Sequence, residues 1–138
     1  MKEYTSFGAM LNQERLSMGL TLREYCRKND FDPGKISKIE NGFLPVPRGT
    51  AFLDKVAKSL GIEKGSEDYK YIKDLATVSR GEIPHDLQSN IGLLPALCRK
   101  ARMNNLTKKD FQNLVNLITE KNHARNPKKN KQGDRKSS

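Results

Sequence analysis

The sequence predicts an all-α protein, and three observations support that fold class. Apolar residues recur at helical spacing in several stretches, most clearly over 50–60 and 108–121. Hydroxyl residues that can cap helices precede many of these stretches, glycines follow several of them, and no sheet of strands is evident. The length of 138 residues suffices for one domain with an extension. We therefore expect a five-helix domain over 1–80, a helical extension over 81–121 and a disordered basic tail over 122–138.

Capping residues predict where the first two helices begin. Thr5 or Ser6 supplies a hydroxyl group in front of a helix over Phe7–Ser17. Thr21 and Glu24 stand three positions apart at the start of an apolar run, which is the spacing of a capping box. In a capping box each side chain accepts a hydrogen bond from the backbone of the other residue, so a second helix begins at this point.

A third helix is predicted over 33–41. Asp32 can accept hydrogen bonds from the free N–H groups of the helix tip, and Pro33 tolerates the first helical position. Ile36 and Ile39 are expected to face inward, which leaves small and basic side chains outside. Such a helix suits the major groove of DNA, where lysine and serine side chains meet base edges and phosphates.

The region after the third helix is predicted to hold a loop and two more helices. The loop, 43–49, contains two prolines that cannot continue the helix, and we expect Phe43 and Leu44 to cap the core. The fourth helix covers 50–60 with apolar residues at helical spacing, and the fifth begins after the cap Ser66.

The second and third predicted helices carry a resemblance to a known family. Leu20-Thr21 and the ISKIENG run at 36–42 resemble, in order and spacing, the helix-turn-helix domain of phage-repressor-like (Xre-type) DNA-binding proteins. The resemblance spans about residues 7–62. It implies that the second helix supports the third, which would be the recognition helix. Leu22 departs from the family, which usually has glutamine at this DNA-contacting position.

This resemblance and the pattern of the third helix together predict a DNA interface. The residues expected to lie against bases are Gly34, Lys35, Ser37 and Lys38. The glycine among them lets the backbones of protein and DNA approach closely. The residues expected to contact phosphates are Thr21, Pro33, Asn41 and Arg48. The resemblance also implies an ion pair of Arg15 with Glu40 that ties the first helix to the recognition helix; alternatively, Arg15 is a solvated charge.

The extension carries a further amphipathic pattern. Thr107 and Asp110 have capping-box spacing, and apolar residues repeat along one face of the helix that follows. The residues expected to form a dimer or partner interface are Leu97, Phe111, Leu114, Val115 and Ile118. Operators are commonly read by dimers, so a homodimer is expected; alternatively, these residues close the core of the monomer.

The charge of the chain indicates a polyanionic partner. The formal net charge is +10 and the isoelectric point is about 9.7, which favours association with polyanions and contacts to phosphates. Charge alone does not separate DNA from RNA or from an acidic protein. The tail over 122–138 is either a basic arm that adds salt-sensitive DNA affinity or a solvated tail.

Several other classes of protein are disfavoured. No apolar run reaches the roughly 18 residues of a membrane span, so we expect a cytoplasmic protein without a membrane partner. Cys26 and Cys98 lie far apart, which predicts reduced thiols rather than a metal site or a disulfide. His85 and His123 belong to no catalytic motif, so neither enzymatic activity nor a cofactor is expected.

Two functions agree with these sequence patterns. The first is a transcriptional regulator that binds double-stranded DNA sequence-specifically, as a dimeric repressor of its own operon. The second is an antitoxin, which binds and neutralises a cognate toxin protein through its C-terminal helices while repressing its own operon. The sequence supports DNA binding more directly than toxin binding.

Overall fold

The chain is helical wherever the structure describes regular elements. A computed structural model describes the backbone of residues 1–125 and the side chains of residues 1–120, and every regular element in this part is a helix, which confirms the all-α class. The α-helices are α1 Phe7–Ser17, α2 Leu22–Asn29, α3 Pro33–Glu40, α4 Ala51–Ser59, α5 Glu67–Ser79, α6 Leu94–Met103 and α7 Lys108–Arg125, and a 3₁₀ helix spans His85–Asn90. Among these helices, none combines the length and apolar character needed to cross a membrane.

Two compact units make up the chain, Met1–Ser89 and the part from Asn90 onward. The first unit contains α1 to α5 and extends past residue 80, where the domain boundary was predicted. Beyond residue 80, Glu82 is tied to this unit because its carboxylate accepts hydrogen bonds from Arg48 in the loop before α4.

Helix α7 is longer than predicted. It continues to Arg125, and so enters the segment 122–138 that was predicted to be a disordered tail. Of the four residues 122–125, Ala124 and Arg125 are favourable helix formers, which is consistent with the longer helix. The remainder of the tail prediction, over 126–138, lies outside the described residues.

The five α-helices of the first unit share one apolar core. Its buried side chains come from each of these helices and from one loop: Phe7, Met10, Leu11, Tyr25, Cys26, Ile36, Ile39, Val46, Leu53, Val56, Ala57, Tyr69, Ile72 and Ala76. Removal of this apolar surface from water is the main favourable term in the folding of such a unit. It also fixes which face of each helix remains available for binding.

The loop after α3 contributes to this core in an unexpected way. The prediction that Phe43 and Leu44 cap the core was wrong, since they are 82% and 36% exposed, whereas Val46 is buried. Gly42 reverses the chain with a φ of 78°, and the N–H of Phe43 closes α3 by donating to the carbonyl oxygen of Lys38 at 2.8 Å. This helix-ending geometry leaves the Phe43 ring in solvent and brings Val46 inward.

The predicted caps are present with one exception. The N–H of Glu24 donates to Oγ1 of Thr21 at 3.1 Å, and the N–H of Thr21 donates to the Glu24 carboxylate at 2.8 Å, which confirms the capping box. Ser66 caps α5 by accepting the N–H of Tyr69 at 3.1 Å. Asp32 makes no side-chain cap bond to α3, so its predicted capping role was wrong.

The second unit, as far as it is described, contains α6 and α7 but no buried residue over 90–120. Its predicted cap is confirmed, because the N–H of Thr107 donates to the Asp110 carboxylate at 2.9 Å and the N–H of Asp110 donates to Oγ1 of Thr107 at 3.2 Å. A pair of helices without buried side chains lacks the apolar burial that stabilises a small domain.

A glycine allows α1 to pack against α3. A Cβ atom added to Gly8 would lie 2.4 Å from the carbonyl oxygen of Ile39 and 2.7 Å from that of Glu40. Gly8→Ala is therefore expected to lower the free energy of unfolding by about 1–3 kcal/mol in urea denaturation, because the helices must separate. Gly34→Ala is the matched control, since a Cβ there meets only the Asp32 carboxylate at 3.9 Å. Equal stability of the two variants would contradict this packing.

Candidate nucleic-acid interface

Helices α2 and α3 are joined by three residues, Asp30, Phe31 and Asp32. Asp30 ends α2 in the left-handed conformation, with φ 59° and ψ 51°. Aspartate adopts this conformation more readily than most residues because its short polar side chain can hydrogen-bond locally. The N–H of Phe31 donates to the carbonyl oxygen of Cys26 at 2.9 Å, which closes α2 immediately before α3 begins.

Aromatic rings hold this short connection in place. The ring of Phe31 stacks on that of Tyr25 with centroids 5.6 Å apart, and it lies 5.5 Å from the ring of Phe52 in α4. Such pairs add preferred ring geometry to the gain from apolar burial. The sequence alone did not reveal the role of Phe31. The one sign of this role in the sequence was that an aromatic residue stands in a short connection between two helices.

Helix α3 presents one face to the core and the other to solvent. Ile36 and Ile39 are 0% and 2% exposed, which confirms their predicted orientation. Gly34 and Lys38 are exposed and Ser37 is half-buried. The structure thus brings three of the four residues predicted to lie against bases onto one outer face.

Lys35, the fourth of these residues, has a different environment. It is half-buried, and its Nζ lies 5.4 Å from the centroid of the Phe52 ring in α4. A cation–π contact at an accessible site contributes about 0.5–1 kcal/mol. Lys35 must therefore leave the aromatic ring before its amine can reach a base.

The ion pair expected between Arg15 and Glu40 is present and ties α1 to α3. Arg15 donates from Nε to Oε2 at 2.9 Å and from Nη2 to Oε1 at 3.0 Å. The two side chains are 8% and 6% exposed, and the hydrogen bonding to Glu40 raises the pKa of Arg15. Nη1 of Arg15 also donates to the carbonyl oxygen of Leu20 at 2.9 Å, and Nδ2 of Asn12 donates to Oε1 of Glu40 at 3.1 Å.

The residues predicted to contact phosphates differ in what they can donate. Thr21 is exposed at the start of α2, although its hydroxyl oxygen already accepts the N–H of Glu24. Asn41 is exposed and donates from Nδ2 to the carbonyl oxygen of Ser37 at 2.8 Å. Pro33 has no N–H and no polar side chain, so only van der Waals contact with a phosphate is open to it.

Arg48 lies in the loop between α3 and α4, where it is exposed but already paired. Nη1 of Arg48 donates to Oε1 of Glu82 at 3.3 Å, and Nη2 donates to Oε2. This pairing lowers the pKa of Glu82. The sequence alone did not reveal Glu82, because 34 positions separate the two residues and no local pattern connects them.

The residues predicted to form a dimer or partner interface are exposed on α6 and α7. Their exposed fractions are 45% for Leu97, 44% for Phe111, 38% for Leu114, 41% for Val115 and 69% for Ile118. Leu117, which was not predicted, is 59% exposed and adds to the apolar surface of α7. The apolar stripe of α7, defined as Phe111, Leu114, Val115 and Ile118, therefore faces solvent in the described part of the chain.

Comparison with known proteins identifies no relative of the chain. No family model matches it, and no curated protein or solved structure matches it. Over residues 1–120, no cluster of His, Cys, Asp and Glu side chains is arranged to hold a metal ion, and Cys26 and Cys98 are both free thiols. Any inference about function therefore rests on the sequence and on the arrangement of its side chains.

The buried pair between α1 and α3 can be tested by removing one partner or both. Arg15→Ala leaves the Glu40 carboxylate buried without a counter-charge, so we expect the free energy of unfolding to fall by about 3 kcal/mol in urea denaturation. Asn12→Ala, which removes one neutral donor to the same carboxylate, is expected to cost about 1 kcal/mol.

The double variant Arg15→Met with Glu40→Leu removes both charges and is expected to recover most of the loss. A double variant as unstable as Arg15→Ala alone would contradict the view that the unpaired charge causes the loss.

Proposed function

We propose that the chain is a helix-turn-helix transcriptional regulator that binds double-stranded DNA sequence-specifically, with α3 as its recognition helix. The observation that carries this proposal is the outer face of α3, where Gly34, Ser37 and Lys38 lie together while the inner face is buried. The resemblance to phage-repressor-like proteins, drawn from the sequence, supports the same role for this helix.

The dimensions and chemistry of α3 suit the major groove. Its eight residues give a helix about 12 Å long, and the groove, about 12 Å wide, admits an α-helix. The amine of Lys38 can donate to O6 and N7 of guanine, and the hydroxyl of Ser37 can donate or accept. Gly34 adds no side chain near the tip of the helix, so the backbone there can approach DNA.

Contacts to phosphate would supply the part of the affinity that does not depend on sequence. Thr21, directly before α2, and Asn41, directly after α3, are both exposed. Each has a polar group that can contact a phosphate. The net charge of +10 strengthens the attraction to any duplex. Base contacts by α3 must therefore account for discrimination between sequences.

We also propose that two copies associate through the apolar stripe of α7 and repress transcription of their own operon. Between Asp110 and Glu120 the helix carries no charged residue, so a second copy with the same positive charge is not repelled at this surface. A symmetric pair would place two recognition helices on an operator with two-fold symmetry.

The same exposed stripe supports a second candidate function, that of an antitoxin. A cognate toxin protein that covers Phe111, Leu114 and Ile118 would gain the apolar burial that α6 and α7 lack by themselves. DNA binding through α3 is common to both candidates. They differ in whether a second copy or a different protein covers α7.

Base reading by α3 is tested by Lys38→Ala. We expect this change to cost about 1–3 kcal/mol of binding free energy on a duplex selected in vitro for tight binding, and much less on a scrambled duplex, because a lost base contact matters only at the right base. Fluorescence anisotropy at fixed salt measures both affinities. Lys58→Ala, which removes the same charge from the exposed face of α4, is the control. Equal losses on both duplexes would assign Lys38 to phosphate contact instead.

Self-association through α7 is tested by Val115→Asp. A carboxylate placed in the apolar stripe should weaken the dimer at least about tenfold in analytical ultracentrifugation, because it would be buried without a partner. Asn113→Asp adds the same charge away from the stripe and should leave association unchanged. A wild-type protein that is monomeric at micromolar concentration would rule out the homodimer and direct the search to a different protein partner.

A further inference from the structure

Two arginines share the carboxylate of Glu82, which follows α5. Oε1 of Glu82 accepts hydrogen bonds from Nη1 of Arg48 at 3.3 Å and from Nε of Arg80 at 3.5 Å. Oε2 accepts a further hydrogen bond from Nη2 of Arg48. Glu82 therefore divides one negative charge between two guanidinium groups.

The two arginines are held to very different degrees. The side chain of Arg80 is 18% exposed, and its Nη1 donates to the carbonyl oxygens of Val46 and Pro47. The side chain of Arg48 is 73% exposed and is bound through Glu82. Loss of the carboxylate would leave Arg80 anchored to the loop backbone but would release Arg48 into solvent.

The loop that carries Arg48 is fixed beside the end of α3. Arg48 lines a cavity of about 580 Å³ together with Gly42 and Phe43, which directly follow the helix. Val46 anchors the loop because its side chain is buried and its N–H donates to Oγ of Ser79 at 3.0 Å. Once released from Glu82, the Arg48 side chain would therefore remain close to the proposed recognition helix.

We infer that Glu82 competes with DNA phosphate for Arg48. Glu82 thereby sets the strength of the contact between Arg48 and phosphate, which does not depend on the DNA sequence. This inference rests on the proposed function. A phosphate must displace the Glu82 carboxylate before it gains a full contact with Arg48, whereas a base contact by the exposed Lys38 requires no displacement of a carboxylate. The chain consequently binds arbitrary DNA less tightly than its positive charge alone would allow.

The competition is tested with Glu82→Gln, which removes the negative charge and keeps the size of the side chain. Fluorescence anisotropy with a random-sequence duplex across a salt series measures affinity and salt dependence together. We expect affinity to rise about two- to fivefold, the range that corresponds to an exposed ion pair, and the salt slope to steepen by about 0.9, the value for one added phosphate contact.

Two further variants separate competition for Arg48 from a general change in charge. Glu63→Gln removes an equal charge from an exposed site between α4 and α5, and it should change affinity less than Glu82→Gln. In an Arg48→Gln background, Glu82→Gln should have no more effect than Glu63→Gln. Arg48→Gln itself should weaken binding less in the wild-type chain than in the Glu82→Gln chain, where Arg48 is unpaired.

The outcomes distinguish this inference from the proposed function. If Glu82→Gln acts equally in the presence and absence of Arg48, or acts no more strongly than Glu63→Gln, the inference is overturned while DNA binding stands. If the wild-type chain binds no duplex even at low salt, both the inference and the proposed function are overturned.

Discussion

The arrangement of the first unit depends on how α1 holds the C-terminal end of α3. Two contacts meet at Glu40: its carbonyl oxygen lies where a Cβ on Gly8 would clash, and its carboxylate accepts two hydrogen bonds from Arg15. The glycine permits close approach, and the bidentate pair then fixes the rotation of α3 about its own axis. Because desolvation of the two charges offsets much of their attraction, this pair determines geometry more than it adds stability.

A fixed rotation of α3 decides which side chains can meet a ligand. With Ile36 and Ile39 in the core, Gly34 and Lys38 can only face outward. The aromatic contacts of Phe31 hold the opposite end of the helix through the short connection to α2. Side chains on a helix that is held at both ends are positioned more precisely than side chains on a loop, which is what base recognition requires.

Local patterns in the sequence were sufficient to predict much of this fold. Caps such as Thr21 with Glu24 and apolar spacing such as Ile36 with Ile39 depend on residues a few positions apart, so the sequence displays them directly. The resemblance led to the Arg15–Glu40 pair, which no local pattern would have indicated. The outer face of α3 followed once its inner face had been identified.

Apart from the Asp32 cap and the end of α7, which are local features, the wrong or missing predictions concern contacts between distant residues or the exact path of a loop. Phe43 was expected to cap the core as an apolar residue, but the chain reversal at Gly42 decides which loop residue turns inward. Lys35 rests on Phe52, and Arg48 is bound by Glu82. In both cases a side chain that was predicted to contact DNA already has a partner within the protein. Only the tertiary structure reveals this partner, which a DNA contact would have to displace.

The two units also differ in what they need to remain folded. This difference bears on how the proposed regulator would respond to its own concentration. The first unit has its own core, whereas residues 90–120 contain no buried side chain. In the proposed dimer, apolar burial along α7 arises only on association, so the stability of α6 and α7 increases with protein concentration. Single copies at low concentration would retain a folded α3 and the attraction of charge for DNA. They would lack the second recognition helix, so tight operator binding would set in only as dimers accumulate.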